Sequence, residues 1–190
     1  MTSYMDYMLL LRPDELVCAE INGYKKFAAG LVGKYPSMGS TAHISIAQYT
    51  RKKAYIMRPA LDTLQPKFKS MPAVSLQINN FKFFVHKNNT YTIYAAIEAT
   101  YQSDNWFTTL GRHLRISKSQ ITPHITIARS INENSFYRLW PHFKYITFRQ
   151  RFTVNSLTVL ERETLNSQSK WAIYHDYVFE QKIADILTPA

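Results

Sequence analysis

The chain has 190 residues, of which 46% are hydrophobic, and 23 Lys and Arg against 13 Asp and Glu give it a net charge of +10. That length holds one good core or two small fused lobes, and the charge favours anionic partners such as RNA, nucleotides or an acidic surface. Cys18 is the sole cysteine, which excludes an intramolecular disulfide and a Cys-based zinc site, and the N-terminal apolar run Met8 to Leu11 is too short for a membrane span or a signal segment.

A cytoplasmic protein without a membrane partner is therefore expected. Asn88-Asn89-Thr90 matches the N-glycosylation tripeptide, which carries no weight without a secretion signal.

In chain order, Tyr4 to Leu11 reads as a strand. Pro13, Asp14 and Glu15 open a helix whose apolar face is Val17, Ile21, Tyr24, Ala28 and Leu31, closed by Gly33 and Tyr35-Pro36. Ala42 to Tyr49 is a second strand. A second helix follows, with the face Met57, Leu61, Leu64 and Phe68, ended by Met71-Pro72. Two β-rich runs, Val74 to His86 and Tyr91 to Thr100, are joined at Lys87-Asn88-Asn89, a hairpin turn. A helix from about Ser103 carries Phe107, Leu110 and Leu114 on one side. Ile121 to Arg129 is a strand, and Glu133 to Lys144 is a helix with Phe136, Leu139, Trp140 and Phe143. Thr147 to Leu160 and Trp171 to Glu180 are β-rich and add to a sheet, with Thr164 to Ser169 as their loop. No linker or low-complexity tract divides the chain, so one domain over 1–190 is expected, with lobe-like halves at about 1–72 and 73–190.

Two strands carry the same tetrapeptide. His43-Ile44-Ser45-Ile46 and His124-Ile125-Thr126-Ile127 stand 81 residues apart. Alternation puts an imidazole beside a hydroxyl on one face of each strand and two isoleucines on the other. One such tetrapeptide is most often an ordinary strand, but two coincidences in one chain are improbable. With the strand-helix order repeated as well, two similar lobes related by an approximate two-fold axis are expected, both motifs facing one cleft.

Displacement at phosphorus needs a base for the attacking oxygen and an acid for the leaving oxygen, on opposite sides of the phosphoryl group. Imidazoles titrate near neutrality, so a facing pair can hold one neutral and one protonated ring. Ser45 and Thr126 can donate to the non-bridging oxygens. A metal site is a poor alternative, because neither strand holds an Asp or Glu and two histidines with two hydroxyls are a weak ligand set. Ser45 or Thr126 as covalent nucleophile lacks a nearby acid to orient a triad.

These residues resemble the 2H phosphoesterases, which are named for paired His-x-Ser/Thr-x motifs. That family includes bacterial RNA 2',3'-cyclic phosphodiesterases once called 2'-5' RNA ligases. The resemblance covers both motifs, their spacing, and Thr122-Pro123-His124-Ile125-Thr126-Ile127-Ala128-Arg129, with its preceding proline and following arginine. It implies an α+β fold: bilobal, pseudo-two-fold and duplicated, with two mainly antiparallel sheets flanked by helices and a central groove. It also implies metal-independent catalysis without a cofactor, with His43 and His124 as the acid–base pair, Ser45 and Thr126 as phosphate anchors, and Arg129 as a phosphate or substrate contact. The implied partner is RNA or a nucleotide bearing a cyclic phosphate or a 2'-5' linkage.

The chain departs from the family in two places. Many RNA-acting relatives have an aromatic residue after the first motif where this chain has Gln48, with Tyr49 next, and both are carried as substrate contacts. Strict alternation also turns Arg129 away from His124 unless the strand ends or twists there. His86, His113, His142 and His175 read as structural or solvated. Tyr49 and Tyr91 could stack a base, although packing explains most of the tyrosines. Arg51-Lys52-Lys53, read as starting a helix, either draws RNA to the cleft or is a solvated face.

The function expected is hydrolysis of a 2',3'-cyclic phosphate, with 2'-5' ligation as its reverse. The competing readings are hydrolysis of another cyclic or 2'-5'-linked nucleotide, and a non-catalytic nucleotide- or RNA-binding module.

Overall fold

The computed structural model describes residues 3–180. The ends of the expected 1–190 domain, residues 1–2 and 181–190, lie outside the described residues. The described residues form eight strands and five α-helices, in chain order β1 (Tyr4–Leu11), α1 (Glu15–Val32), β2 (Ile44–Lys53), α2 (Ala54–Asp62), α3 (Gln65–Lys69), β3 (Val74–Val85), β4 (Tyr91–Ile97), α4 (Tyr101–Leu114), β5 (His124–Ile131), α5 (Glu133–Tyr145), β6 (Arg151–Val154), β7 (Ser156–Glu163) and β8 (Ala172–Val178).

The strands form one series in the order β6-β3-β4-β5-β2-β1-β7-β8, and every pairing between neighbours is antiparallel. The two expected sheets are thus halves of a single strand order. They meet where β2 and β5 share one ladder pair, Ile44 opposite Ile125. Four strands lie on each side of that seam. The approximate two-fold relation therefore passes between the two motifs. Because β7 and β8 sit beside β1, the group β2-β1-β7-β8 draws on both the 1–72 and 73–190 stretches of chain, while β6-β3-β4-β5 lies wholly in the second.

Local chemistry accounts for most boundaries. Asp14 caps α1, its side chain accepting the Val17 N–H at 2.9 Å, and Gly33 closes the helix at φ 80°, a left-handed setting that glycine takes without a Cβ penalty. The expected single helix over 57–68 is two helices. Pro66 has no N–H to donate back to Asp62, and its ring would strike that carbonyl, so α2 stops at Asp62 and α3 restarts with Pro66 in its first turn. Arg51-Lys52-Lys53 completes β2 instead of opening a helix. The run Thr147 to Leu160 divides at Asn155 into β6 and β7, which lie at opposite sides of the strand order.

The helices cover one face of the strands. Ile44, Ile46, Ile125 and Ile127 are buried there with Val17, Ile21 and Ala28 of α1, Leu110 of α4 and Leu139 of α5. Helix α1 packs against β5 and α5, so it ties the first motif's half to the second's. None of the helices among the described residues is long and apolar enough to cross a membrane.

Candidate active site

The face of the sheet turned away from the helices carries both motifs. Ile44 and Ile46 are buried while Ser45 is exposed and His43, the residue just before β2, is half-buried. On β5, Ile125 and Ile127 are buried while His124 and Thr126 are half-buried. Ile44 is opposite Ile125 in an antiparallel register, and continuing that register by one residue each way would set His43 across from Thr126 and Ser45 across from His124. The two histidines are then diagonal neighbours, whose Cβ atoms in such a ladder stand roughly 7–8 Å apart. That span suits one phosphoryl group held between two side chains.

Each imidazole is oriented the same way. His43 Nδ1 lies 2.8 Å from the Thr41 carbonyl, and His124 Nδ1 lies 2.6 Å from the Thr122 carbonyl. A carbonyl only accepts, so Nδ1 carries the proton in both rings and Nε2 is left for chemistry. Both rings are held below the ordinary imidazole value. For His43 burial is the main cause, opposed by the Thr41 carbonyl and reinforced by the charges of Lys25, His124 and Arg12. For His124 burial again leads, opposed by the Thr122 carbonyl and reinforced by Arg129. The effect of His124 on His43 marks the two rings as electrostatic neighbours.

Two bulges decide what else reaches this face. On β5, Thr126 pairs with Tyr94 but Ala128, not Ile127, pairs with Ile93, so one extra residue resets the alternation. Ile127 and Ala128 are both buried, and Arg129 emerges exposed on the face of His124 and Thr126. This is the twist that strict alternation lacked. On β2, Ser45 pairs with Leu10 and Ala47 with Leu9. The extra residue is Ile46, at the matching place in the motif, and it brings Gln48 onto the face of Ser45. Tyr49 falls on the opposite face, half-buried against the core, and lines a cleft with Met57, Leu61, Lys67, His113 and Arg115. Gln48 therefore joins the two motifs and Tyr49 does not.

Other side chains on this face were not foreseen. Phe84 and Tyr94 stack on each other at 4.2 Å, and both meet the His124 ring edge-on, at 5.2 and 5.1 Å. Nothing local in sequence links them to His124, because they arrive by cross-strand register from β3 and β4. The carbonyls of Thr41 and Thr122 did have a signal, since a threonine stands two residues before each histidine and the repeat runs seven residues, from Thr41 to Ala47 and from Thr122 to Ala128.

The remaining histidines have packing partners. His86 Nε2 is 2.9 Å from Thr92 Oγ1, His113 faces Phe68, His142 faces Phe27, and His175 lies against Tyr177. Tyr91 is stacked on Phe136 at 4.2 Å. The Arg51 guanidinium sits over the Tyr4 ring, and the Arg51 backbone N–H donates to Asp6. Among the described residues, no three or more His, Cys, Asp or Glu side chains gather as metal ligands.

The model of the 2'-5' RNA ligase superfamily matches residues 13–166, which include both motifs. Solved structures of the same fold include Escherichia coli LigT complexed with phosphate, 12% identical, with a TM-score of 0.61 over 95% of this chain and 100% of that one. TT0787 of Thermus thermophilus is 12% identical, with a TM-score of 0.63 over 93% and 99%. A protein described as a phosphoesterase is 14% identical, with a TM-score of 0.61 over 93% and 99%. No curated protein matches the chain at a significant level. Matched over most of its length by the family model, the chain belongs to the 2'-5' RNA ligase superfamily and is an enzyme of the 2H phosphoesterase kind.

Proposed function

We propose that the protein is a metal-independent phosphodiesterase that opens a 2',3'-cyclic phosphate on RNA or a nucleotide, with His43 and His124 as its acid–base pair. The observation that supports this reading is the seam at Ile44 and Ile125, which joins the strands of the two motifs, together with the charge of His124 acting on His43. One Nε2 takes a proton from water as its oxygen attacks phosphorus. The other gives a proton to the departing ribose oxygen on the far side. A 2'-phosphate with a free 3'-hydroxyl results, and 2'-5' ligation is the same ring opening with a ribose 5'-hydroxyl in place of water rather than the reverse of hydrolysis. Ser45, Thr126 and Arg129 meet the non-bridging oxygens, where charge grows in the transition state.

The nucleotide class of ligand is supported by the same fold in LigT complexed with ATP and with 3'-AMP. Gln48 sits at the substrate's edge as a hydrogen-bonding side chain. The test is incubation of the purified protein, in EDTA, with nucleoside and oligonucleotide 2',3'-cyclic phosphates, cyclic dinucleotides and 2'-5' oligonucleotides, with products identified. Turnover of the first group to 2'-phosphates is expected. Turnover confined to another group would reassign the substrate, and binding without turnover anywhere would make the chain a binding module.

A further inference from the structure

Helix α1 buries a lysine where its apolar stripe should continue. Lys25 follows Val17 and Ile21 at helical spacing, is only 2% exposed, and among the described residues its ammonium meets neutral oxygens alone: the Ser40 carbonyl at 2.6 Å, Ser40 Oγ at 2.9 Å and the Ser37 carbonyl at 3.4 Å. A cation buried without an anion costs stability, so three acceptors converging on Nζ call for an explanation. The turn they belong to reaches both motifs. Ser40 is followed by Thr41, whose carbonyl orients His43. Ser37 Oγ accepts the Arg129 N–H at 2.9 Å, just past the bulge that turns Arg129 onto the His124 face. Ser40 Oγ donates to the Ser37 carbonyl at 2.8 Å, and Tyr35 Oη donates to the Lys25 carbonyl at 3.0 Å, closing the turn against the helix.

We propose that Lys25 is a positioning residue of the groove: its buried ammonium locks the 37–40 turn and so sets His43 and Arg129 against the same phosphoryl group. This rests on the phosphodiesterase reading for its catalytic consequence, while the clamp itself stands on the contacts above. The clamp also carries charge. The groups acting on His43 are Lys25 from α1, Arg12 from the connection before it and His124 from β5, and all three favour its neutral form. Arg129 acts on His124.

The experiment compares wild type with Lys25→Met, Lys25→Arg and Ser37→Ala, following each histidine's titration by NMR and kcat and KM on a 2',3'-cyclic nucleotide. Lys25→Met should move the His43 midpoint upward by more than that of His124, a difference that a general loss of packing would not produce. It should also lower kcat by on the order of 10²-fold, the cost of a small misplacement of a reacting group. Lys25→Arg should recover part of that loss and restore the His43 midpoint. Ser37→Ala, which keeps the Lys25 charge and frees the Arg129 strand end, should raise KM with the His43 titration unchanged. A folded Lys25→Met protein with wild-type titration and kcat would overturn the proposal. If Lys25→Met does not fold, unchanged kinetics in Ser37→Ala and in Lys25→Arg together would overturn it as well. Titration needs no substrate, so a wild type inert toward cyclic phosphates would sink the phosphodiesterase reading and still leave the clamp decided by NMR.

Discussion

At the scale of single residues, the proposed mechanism depends on two imidazoles that are oriented alike, each by the carbonyl two residues before it. His43→Ala or His124→Ala should each remove most turnover of a 2',3'-cyclic phosphate, and the double variant should lose little more, because the pair acts as one unit. Wild-type turnover by either folded single variant would refute the assignment. Ser45→Ala and Thr126→Ala should be milder, each losing about 2–4 kcal/mol of transition-state stabilisation by analogy with oxyanion donors. The sign of the pH dependence follows from burial. Both rings are held below their ordinary value, so the state with one proton shared between them is populated on the acid side of about pH 6.5. A bell-shaped kcat/KM profile in chelator should therefore peak below that pH, falling on the acid limb as the second ring charges and on the alkaline limb as both become neutral. A maximum well above neutrality would contradict it.

At the scale of elements, irregularities place the side chains that regular strands would misplace. Asp6, buried on β1, takes hydrogen bonds from the Arg51 N–H, where φ is 51°, from Thr164, and from Arg162 with an ion pair at 3.1 Å. Burial alone would raise its carboxyl, but these donors outweigh it and hold the group below its ordinary value. Asp6→Asn should cost about 1.5–3 kcal/mol in chemical denaturation, as for hydrogen bonds to a charged group. Arg115→Gly should act in the opposite sense. The residue caps α4 at φ 56°, ψ 38°, a conformation that glycine adopts without the Cβ strain, and a gain of about 1 kcal/mol is expected. The same contrast explains what could be read in advance. The paired motifs, the hairpin at 87–89, the caps of α1 and the hydrophobic stripes are local patterns, and they were legible. The bulges at Ile46 and Ile127 are set by partner strands, Phe84 and Tyr94 reach His124 through register, and the Lys25 clamp joins residues a dozen or more positions apart, so none of them has a local signature. Lys25 was hidden further because Tyr24, its neighbour, fits an apolar stripe almost as well.

At the scale of the whole molecule, charge and protonation set two bulk behaviours. With a net charge of +10, binding of an oligonucleotide should weaken steeply as salt rises, whereas a cyclic mononucleotide, with a single phosphate, should respond far less. Equal salt slopes for the two would argue against an extended basic track. Stability should fall as pH drops below about 6.5, because His43, His124 and His113 all have folded-state values lowered by burial and the unfolded chain binds their protons first. A Tm that is flat between pH 7.5 and 5.5 would contradict this. The crossing at Asn155 has a consequence of another kind. One residue separates β6, at one end of the strand order, from β7, next to the other end, and the Asn155 carbonyl accepts the Phe179 N–H while Ala73 donates to the Glu180 carbonyl. Both ends of the series must therefore curl round to the same place. A rim that would otherwise offer unpaired backbone to strand addition from a second copy is folded back on its own chain, a built-in guard against edge-to-edge aggregation.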